Sequence, residues 1–392
     1  MNDLLEIAAT WSPWKRAFPG SVPRHVWLPE DLRESLALVI QGVRRCGKST
    51  LMQQLIGRYG LDPARCLFIN FEDPRLGDRL HFDTLDNLVS AFRERHDDTR
   101  PLHFFFDEVQ WVQGWQRWLR MQLDRPAGHT FVVSGSSARL LSGELGSSLT
   151  GRHLTIELYP FDFREMQALR PDAGFDDWLH GGGFPEPASV PEGDRLLRQY
   201  LHDIVERDVR ERIGARSSLA IRQLVQMVFK TAGSELSLRR IAAARGIAVE
   251  TAASWLEAAE DAYLLFACPF FAWSERKRAA RNVKYYPIDS GLRRTVVTPG
   301  AADRGKALEC AVYLALRRRY GQVFYWRGKG EVDFVVVRGR DAIPIQVTLN
   351  APRERHLKAL EAFYEEHPHA AEAVMLTADT FHEALEGMPD PS

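Results

Sequence analysis

Short, continuous apolar runs alternate with stretches of helical period between about residues 36 and 160: LALVIQG, CLFINFED, LHFFFDE, HTFVVSG and LTIELYP. A run that is apolar at every position suits a strand covered on both faces, and strands alternating with helices lie parallel in one sheet. The pattern predicts an α/β unit over residues 1–165, a parallel sheet with helices on both sides and an N-terminal extension. Trp111, Trp115 and Trp118 recur at helical spacing in QWVQGWQRWL and read as one buried face behind the third strand rather than a base-stacking platform.

After the fifth run the pattern changes. Residues 166–215 read as a helical, lid-like or linking segment interrupted by HGGGFPEPASVPEGD, whose glycines and prolines do not continue a helix. Within 216–300, LRRIAAARGIAVETAASWLEAAEDAYLL has the cadence of two helices about a tight turn at Gly246, and the apolar runs LLFACPF and VKYYPID follow with a basic loop between them. Helix, turn, helix, strand, loop and strand predict a winged helix. Residues 301–392 read as one helix at about 303–319, three strands (VFYWRG, EVDFVVV and AIPIQV) and closing helices to about 385.

Composition narrows the class. The 392 residues are 45% hydrophobic and 26% charged, which supplies several cores and argues against a disordered chain. The formal net charge is −1, so no overall basicity advertises nucleic acid and any such surface is local. MNDLLEIAATWSPWKR lacks the apolar run of a secretory signal, and no stretch reaches the ~18–20 apolar residues of a membrane span. A cytoplasmic protein without a membrane partner is expected. Cys46, Cys66, Cys268 and Cys310 lie far apart with no CxxC pair, a pattern of neither a disulfide framework nor a zinc site.

Chemistry enters at Gly42-Val43-Arg44-Arg45-Cys46-Gly47-Lys48-Ser49, which fits G-x-x-x-x-G-K-[ST] between the run LALVIQ and the helical stretch STLMQQLIG. The glycines let backbone N–H groups turn inward around phosphates, and the following helix adds positive potential at its N-terminus. Gly42, Arg45, Cys46, Gly47, Lys48, Ser49 and Thr50 are the expected ATP ligands, with Lys48 on the β- and γ-phosphates and Ser49 on Mg²⁺. Phe104-Phe105-Phe106-Asp107-Glu108 ends a buried strand in two carboxylates, where open α/β sheets bind ligands. Asp107 is expected to hold Mg²⁺ through its water shell and Glu108 to polarise the attacking water, which implies hydrolysis. Ser134 and Ser136, at the end of HTFVVSGSS, are placed to sense the γ-phosphate. Arg139 and Arg152 are candidate charge stabilisers, acting on this subunit's nucleotide or a neighbour's, and Arg152 is favoured.

With these residues in place, the chain resembles AAA+ ATPases in which an N-terminal ATPase precedes a C-terminal domain of unknown function. The resemblance covers nearly the whole chain. It rests on Gly42 to Thr50, Phe104 to Gln110, Ser134 to Ser137, Leu149 to Arg152 with Tyr159-Pro160-Phe161, Gly182-Gly183-Phe184-Pro185, and Lys284 to Leu292. It implies an α/β fold made of a P-loop AAA+ core with an additional strand and a catalytic glutamate, then a winged-helix domain, then an α/β domain similar to restriction endonucleases. AAA+ relatives commonly form ring homo-oligomers, often hexamers.

The endonuclease-like pattern is incomplete. Glu309 and Asp333 fit its helix and first strand positions, but where relatives read I-E-V-K this chain reads Ile345-Gln346-Val347-Thr348. A neutral amide is a poorer ligand for a hard cation than a carboxylate, and threonine has no amine. A relic site of Glu309, Asp333, Gln346 and Thr348 that does not cut is expected.

Residues 270–330 hold fourteen Lys and Arg against four Asp and Glu, densest at Arg276, Lys277, Arg278, Arg281 and Lys284 on the expected wing. Such an excess suits phosphate contacts, while VETAASWLEAA offers almost no base-reading side chains, so weakly sequence-specific DNA binding is expected. The leading function is a DNA-dependent ATPase that remodels, translocates along or unwinds DNA, forked or branched structures included. The alternative is a nucleotide-controlled switch or scaffold that recruits a protein partner. An ATP-regulated nuclease is a third reading, against which Gln346 and Thr348 argue.

Overall fold

The structure, a computed structural model, describes residues 2–15, 18, 20–96, 99–125, 127–141, 149–215, 218–297 and 303–391, with the side chains of Asn2, Arg139 and Leu141 outside that description. The chain divides into two compact units, Met1–Phe161 with Asp261–Tyr263, and Asp162–Glu260 with Leu264–Ser392. No helix among the described residues is long and apolar enough to cross a membrane.

In the first unit the five apolar runs become strands β1 (Ala37–Gln41), β2 (Cys66–Asn70), β3 (Leu102–Asp107), β4 (His129–Gly135) and β5 (His153–Glu157). They form one parallel sheet in the order β2-β3-β4-β1-β5, so β4 lies between the strand before the glycine loop and the strand ending in Asp107. Both faces are covered, and the consecutive phenylalanines of β3 show how. Phe104 stacks on Phe131 at 5.4 Å and Phe106 packs on Trp118 at 6.0 Å, while Phe105 points to the other face and stacks on Phe68 at 6.1 Å.

Among the described residues, four helices flank the sheet: α1 (Asn2–Ala9), α2 (Lys48–Arg58), α3 (Phe82–Glu94) and α4 (Trp115–Asp124). α3 buries Leu85, Leu88, Val89 and Phe92, the i, i+3, i+4, i+7 stripe of an amphipathic helix. α4 corrects the tryptophan pattern. Gly114, at φ 79°, opens the helix, so Trp115 and Trp118 are buried while Trp111 sits on the preceding 3₁₀ turn and is 45% exposed.

The second unit begins with helices Phe163–Leu169, Phe175–Gly181 and Gly193–Asp203, the last running on into a π-helical segment, Ile204–Arg210. Then come helix Ser218–Lys230, β6 (Glu235–Leu236), helices Leu238–Arg245 and Val249–Asp261, β7 (Leu265–Cys268), helix Glu275–Ala279 and β8 (Val283–Pro287). These three strands form an antiparallel sheet in the order β6-β8-β7. Gly246, at φ 64°, caps the first helix of the pair, in keeping with the expected tight turn. The Gly182–Pro185 and Asp289–Leu292 segments meet at Asp289, whose buried carboxylate accepts the Gly183 N–H at 2.6 Å and the Leu292 N–H at 2.7 Å. A Cβ on Gly182 would collide with that carboxylate, a steric reason for the glycine there.

The remainder is helix Asp303–Tyr320 and a four-stranded sheet, β12-β11-β10-β9, followed around by helices Glu354–Glu366 and Phe381–Gly387. β9 (Phe324–Arg327), β10 (Glu331–Arg338) and β11 (Asp341–Val347) are antiparallel neighbours. β12 (Val374–Leu376) pairs parallel to β11 and is a fourth strand that three apolar residues were too short to reveal.

Candidate nucleotide-binding and hydrolysis site

Gln41, Asn70, Asp107 and Gly135 end four adjacent strands, which gathers the polar residues along one edge of the sheet. The glycine loop leaves that edge directly after Gln41. A Cβ on Gly42 would collide with the Leu158 carbonyl oxygen, and Gly47 takes φ 102° at the N-cap of α2, so both glycines are sterically required. Arg45 is exposed at φ 71°, whereas Cys46 is buried with its thiol 3.3 Å from the Leu158 carbonyl and its pKa pushed up by burial. Thr50 lies half-buried on the first turn of α2.

Lys48 is buried and donates to the Gly42 and Val43 carbonyls at 3.1 and 3.3 Å, with its amine 3.4 Å from Glu108 Oε1. Ser49 Oγ donates to Asp107 Oδ2 at 2.6 Å, Asn70 Nδ2 donates to the same oxygen at 3.0 Å, and Ser134 Oγ donates to Asp107 Oδ1. Asp107 is fully buried; burial, then the neighbouring Glu108, push its pKa up to about 6. Burial alone would lift Glu108 as well, but Lys48, the Gln110 amide and Arg44 outweigh it and hold that carboxyl below its usual value. Glu108 itself takes φ 53° and ψ 45°, and its backbone N–H donates to Ser134 Oγ at 3.1 Å. Ser136 is buried within 3.5 Å of Gln110 Nε2.

Four contributors went unread in the sequence. Arg24 donates to the Cys46 carbonyl at 2.8 Å and the Tyr159 carbonyl at 2.6 Å, bracing the glycine loop from a segment with no motif. Asn70 ties the end of β2 to Asp107. Tyr263 donates to Gln41 Oε1 at 3.1 Å, from a short segment that belongs to this unit although its flanks belong to the other. Gln110 donates to Glu108 Oε2 at 2.5 Å; its place in the DEVQ run was the available signal.

Arg152 lies elsewhere. It precedes β5 at the end where Ala37 pairs His153, the edge of the sheet opposite the glycine loop, and pairs with Asp124 at 3.0 Å. The five residues of β1 span about 15 Å, so the Arg152 backbone lies about that far from the glycine loop. The Arg139 side chain lies outside the described residues.

In the second unit, Lys284 overturns one expectation. It is 1% exposed, not on an open wing. Strand alternation turns it inward from β8, where its amine bonds Glu331 Oε1 at 2.5 Å and lies 4.9 Å from the Tyr325 ring. The same cluster holds Glu309, which accepts Tyr286 OH at 2.7 Å, and Asp333, which accepts the Val347 N–H at 2.8 Å. Gln346 donates to the Glu331 carbonyl at 2.8 Å, and Thr348 follows β11 with its N–H on the Leu376 carbonyl. Burial, then Glu309, push Asp333 up to about 7; burial would lower Lys284, but Glu309, Glu331 and Asp333 hold it above its usual value. An amine thus stands among these carboxylates, supplied by Lys284 rather than by the position of Thr348. Among the described residues no group of three or more His, Cys, Asp or Glu side chains is placed to hold a metal ion.

The basic excess also shrinks in space. Arg293 pairs Asp303, Arg294 pairs Asp194, Arg304 pairs Asp176, Arg318 faces Asp162, Arg319 pairs Asp390, Arg327 pairs Glu235 and Lys329 faces Glu365. Most of these carboxylates fall outside residues 270–330. On the expected wing, Arg278 donates to the Ala272 carbonyl and lies over Phe324, and Arg281 lies over Phe270 but is exposed, as are Arg276 and Lys277.

This sheet order and glycine loop define a P-loop ATPase of the AAA class, and the profile of a family described as an AAA domain matches residues 34–167. Profiles of two domains of unknown function, DUF8612 and DUF4143, match residues 172–302 and 304–388. An uncharacterized protein of Methanocaldococcus jannaschii is 30% identical, over 82% of this chain and 77% of that protein. The chain belongs to the same family as this archaeal protein. An uncharacterized protein of Haemophilus influenzae is 26% identical over 81% of this chain and 84% of its own length. Among solved structures, a Walker-type ATPase of Pyrococcus abyssi is similar at 15% identity with a TM-score of 0.42, over 66% of this chain and 90% of that one.

Proposed function

We propose that this protein is a DNA-dependent ATPase that couples ATP hydrolysis to remodelling, translocation or unwinding of DNA. The observation that carries it is the convergence of Lys48, Ser49, Asp107 and Glu108 at the carboxyl edge of the sheet. Ser49 and Asp107 offer adjacent hard oxygen donors, a set that fits Mg²⁺. Bound with ATP, Mg²⁺ would offset the negative charge of the β- and γ-phosphates. Lys48 exchanges its loop carbonyls for phosphate oxygens, the first turn of α2 presents N–H groups to the same phosphates, and Glu108 accepts the proton of the attacking water. Ser134, bonded to the Glu108 N–H and to Asp107, and Ser136, 3.5 Å from the Gln110 amide, are the γ-phosphate sensors in this reading.

Residues 235–287 have the element order of a winged helix, and Arg276, Lys277 and Arg281 give its wing an exposed cationic face. The second helix of the pair carries Glu250, Glu257 and small alanines, so binding rests on phosphates rather than base edges. Replacing Arg276, Lys277 and Arg281 with Ala should flatten the slope of log affinity against log salt by roughly 2.7 on duplex DNA, at ~0.9 per phosphate contact. DNA stimulation of the ATPase should fall while basal turnover survives. An unchanged slope with unchanged stimulation would remove DNA from this reading. The alternative, a nucleotide-controlled scaffold for a protein partner, then moves ahead, favoured already by the internal pairing of so many basic residues.

Arg152, remote from its own nucleotide, is the candidate to complete a neighbour's site in a homo-oligomer, a hexameric ring included. Arg152→Ala should lower turnover and keep ATP binding. Mixing it with Glu108→Gln subunits should restore part of the activity, and co-assembly without any restoration would exclude the role.

A further inference from the structure

Glu108 has two oxygens, and the structure engages each differently. Oε1 faces the Lys48 amine at 3.4 Å, a cation that the ATPase reading assigns to the phosphates. Oε2 accepts the Gln110 side-chain amide at 2.5 Å. The acceptor is a carboxylate, so that end of the Gln110 amide is its NH₂, and Oε1 of Gln110 necessarily points away. That oxygen is buried with no hydrogen-bond partner among the described residues, against the end of β4, where a Cβ on Gly135 would lie 2.6 Å from it. Gly135 therefore makes the room that Gln110 occupies. The backbone contributes too: Glu108 sits in the left-handed region at φ 53°, a conformation costly for a side-chain-bearing residue, and the 3₁₀ turn Val109–Trp111 brings Gln110 back over the carboxylate.

We infer that Gln110 is the positioning residue for Glu108: it pins one carboxylate oxygen, so that transfer of Lys48 to the phosphates frees the other to receive a proton from water. This rests on the ATPase reading and specifies how its base is oriented. In the step itself, the water oxygen bonds the γ-phosphorus as the bond from that phosphorus to the β–γ bridging oxygen breaks. One water proton passes to Glu108 Oε1, and ADP and inorganic phosphate leave. Without the Gln110 pin the carboxylate rotates about its own side chain, and the proton acceptor is in line only part of the time.

The test uses the full chain with Mg²⁺ and ATP, reading steady-state turnover and, separately, affinity for a fluorescent ATP analogue. Gln110→Ala should lower kcat roughly 10- to 100-fold with KM and nucleotide affinity within about two-fold of wild type. Combined with Glu108→Gln it should cause no further loss, because Gln110 acts only through Glu108. Gly135→Ala, which displaces the Gln110 amide, should reproduce the kcat effect. Turnover in Gln110→Ala equal to or above wild type overturns the inference, as does an additive loss in the double variant or a parallel fall in nucleotide affinity. Wild-type protein that binds the analogue but never hydrolyses ATP, with or without DNA, removes the ATPase reading itself, a result distinct from any failure confined to Gln110→Ala.

Discussion

Replacing Glu108 with Gln is expected to cut ATP turnover by roughly 10²- to 10⁴-fold while nucleotide affinity stays close to wild type, because the amide fills the same space and cannot accept a proton. Lys48→Ala is expected to differ. It removes the buried amine that bonds the Gly42 and Val43 carbonyls and faces Glu108, so phosphate placement and affinity fall together with turnover. Phosphate release and fluorescent-nucleotide titration on the same preparations separate the two patterns. Full turnover in both variants would sink the assignment of the site.

The second large effect is one of stability. Lys284→Met leaves Glu309, Glu331 and Asp333 around an apolar side chain, with the amine bonded to Glu331 gone. Removing one partner of a buried pair costs several kcal/mol, and the one-third exposure of Glu331 moderates this to roughly 2–3 kcal/mol. The pH dependence gives the cause away. Asp333 titrates near 7 in the folded protein against an ordinary value near 4, so the folded state binds its proton more tightly than the unfolded state. Stability from this group is present below about pH 4 and is lost as pH rises through about 7. Without Lys284 the Asp333 and Glu309 carboxyls shift further upward, so the deficit of the variant should be small near pH 4–5 and full near pH 8 in urea unfolding. DNA affinity and its salt slope should not change. A deficit independent of pH, or Mg²⁺- or Mn²⁺-dependent DNA cleavage that Lys284→Met abolishes, would reverse the reading of this cluster as a packing element.

Much of the first unit was legible along the chain. Its strands are apolar at every position because helices cover both faces, and that produces a local signal that survives without knowledge of neighbours. The glycine loop is marked locally by its spacing, and Gly47 answers to its own dihedral, although the steric need for Gly42 comes from the distant Leu158 carbonyl. Trp111 shows where periodicity misleads, since spacing alone did not reveal that Gly114 starts the helix after it. β12 was too short to carry a period, and Arg24, Asn70 and Tyr263 reach the nucleotide edge from segments that no motif marks.

The local pattern by itself determined the sheet, the glycine loop, the paired carboxylates and the two helices that flank Gly246, because each shows in hydrophobic period, backbone freedom or residues adjacent in the chain. Only the tertiary structure decided what the charges do. Arg304 meets Asp176 and Arg327 meets Glu235 across long stretches of sequence, so a count over residues 270–330 overstated the free positive charge. Lys284 counted as part of the wing until β8 turned it into a core of three carboxylates. Electrostatic energy depends on separation and burial in space, and packing sets both between residues the chain order keeps far apart.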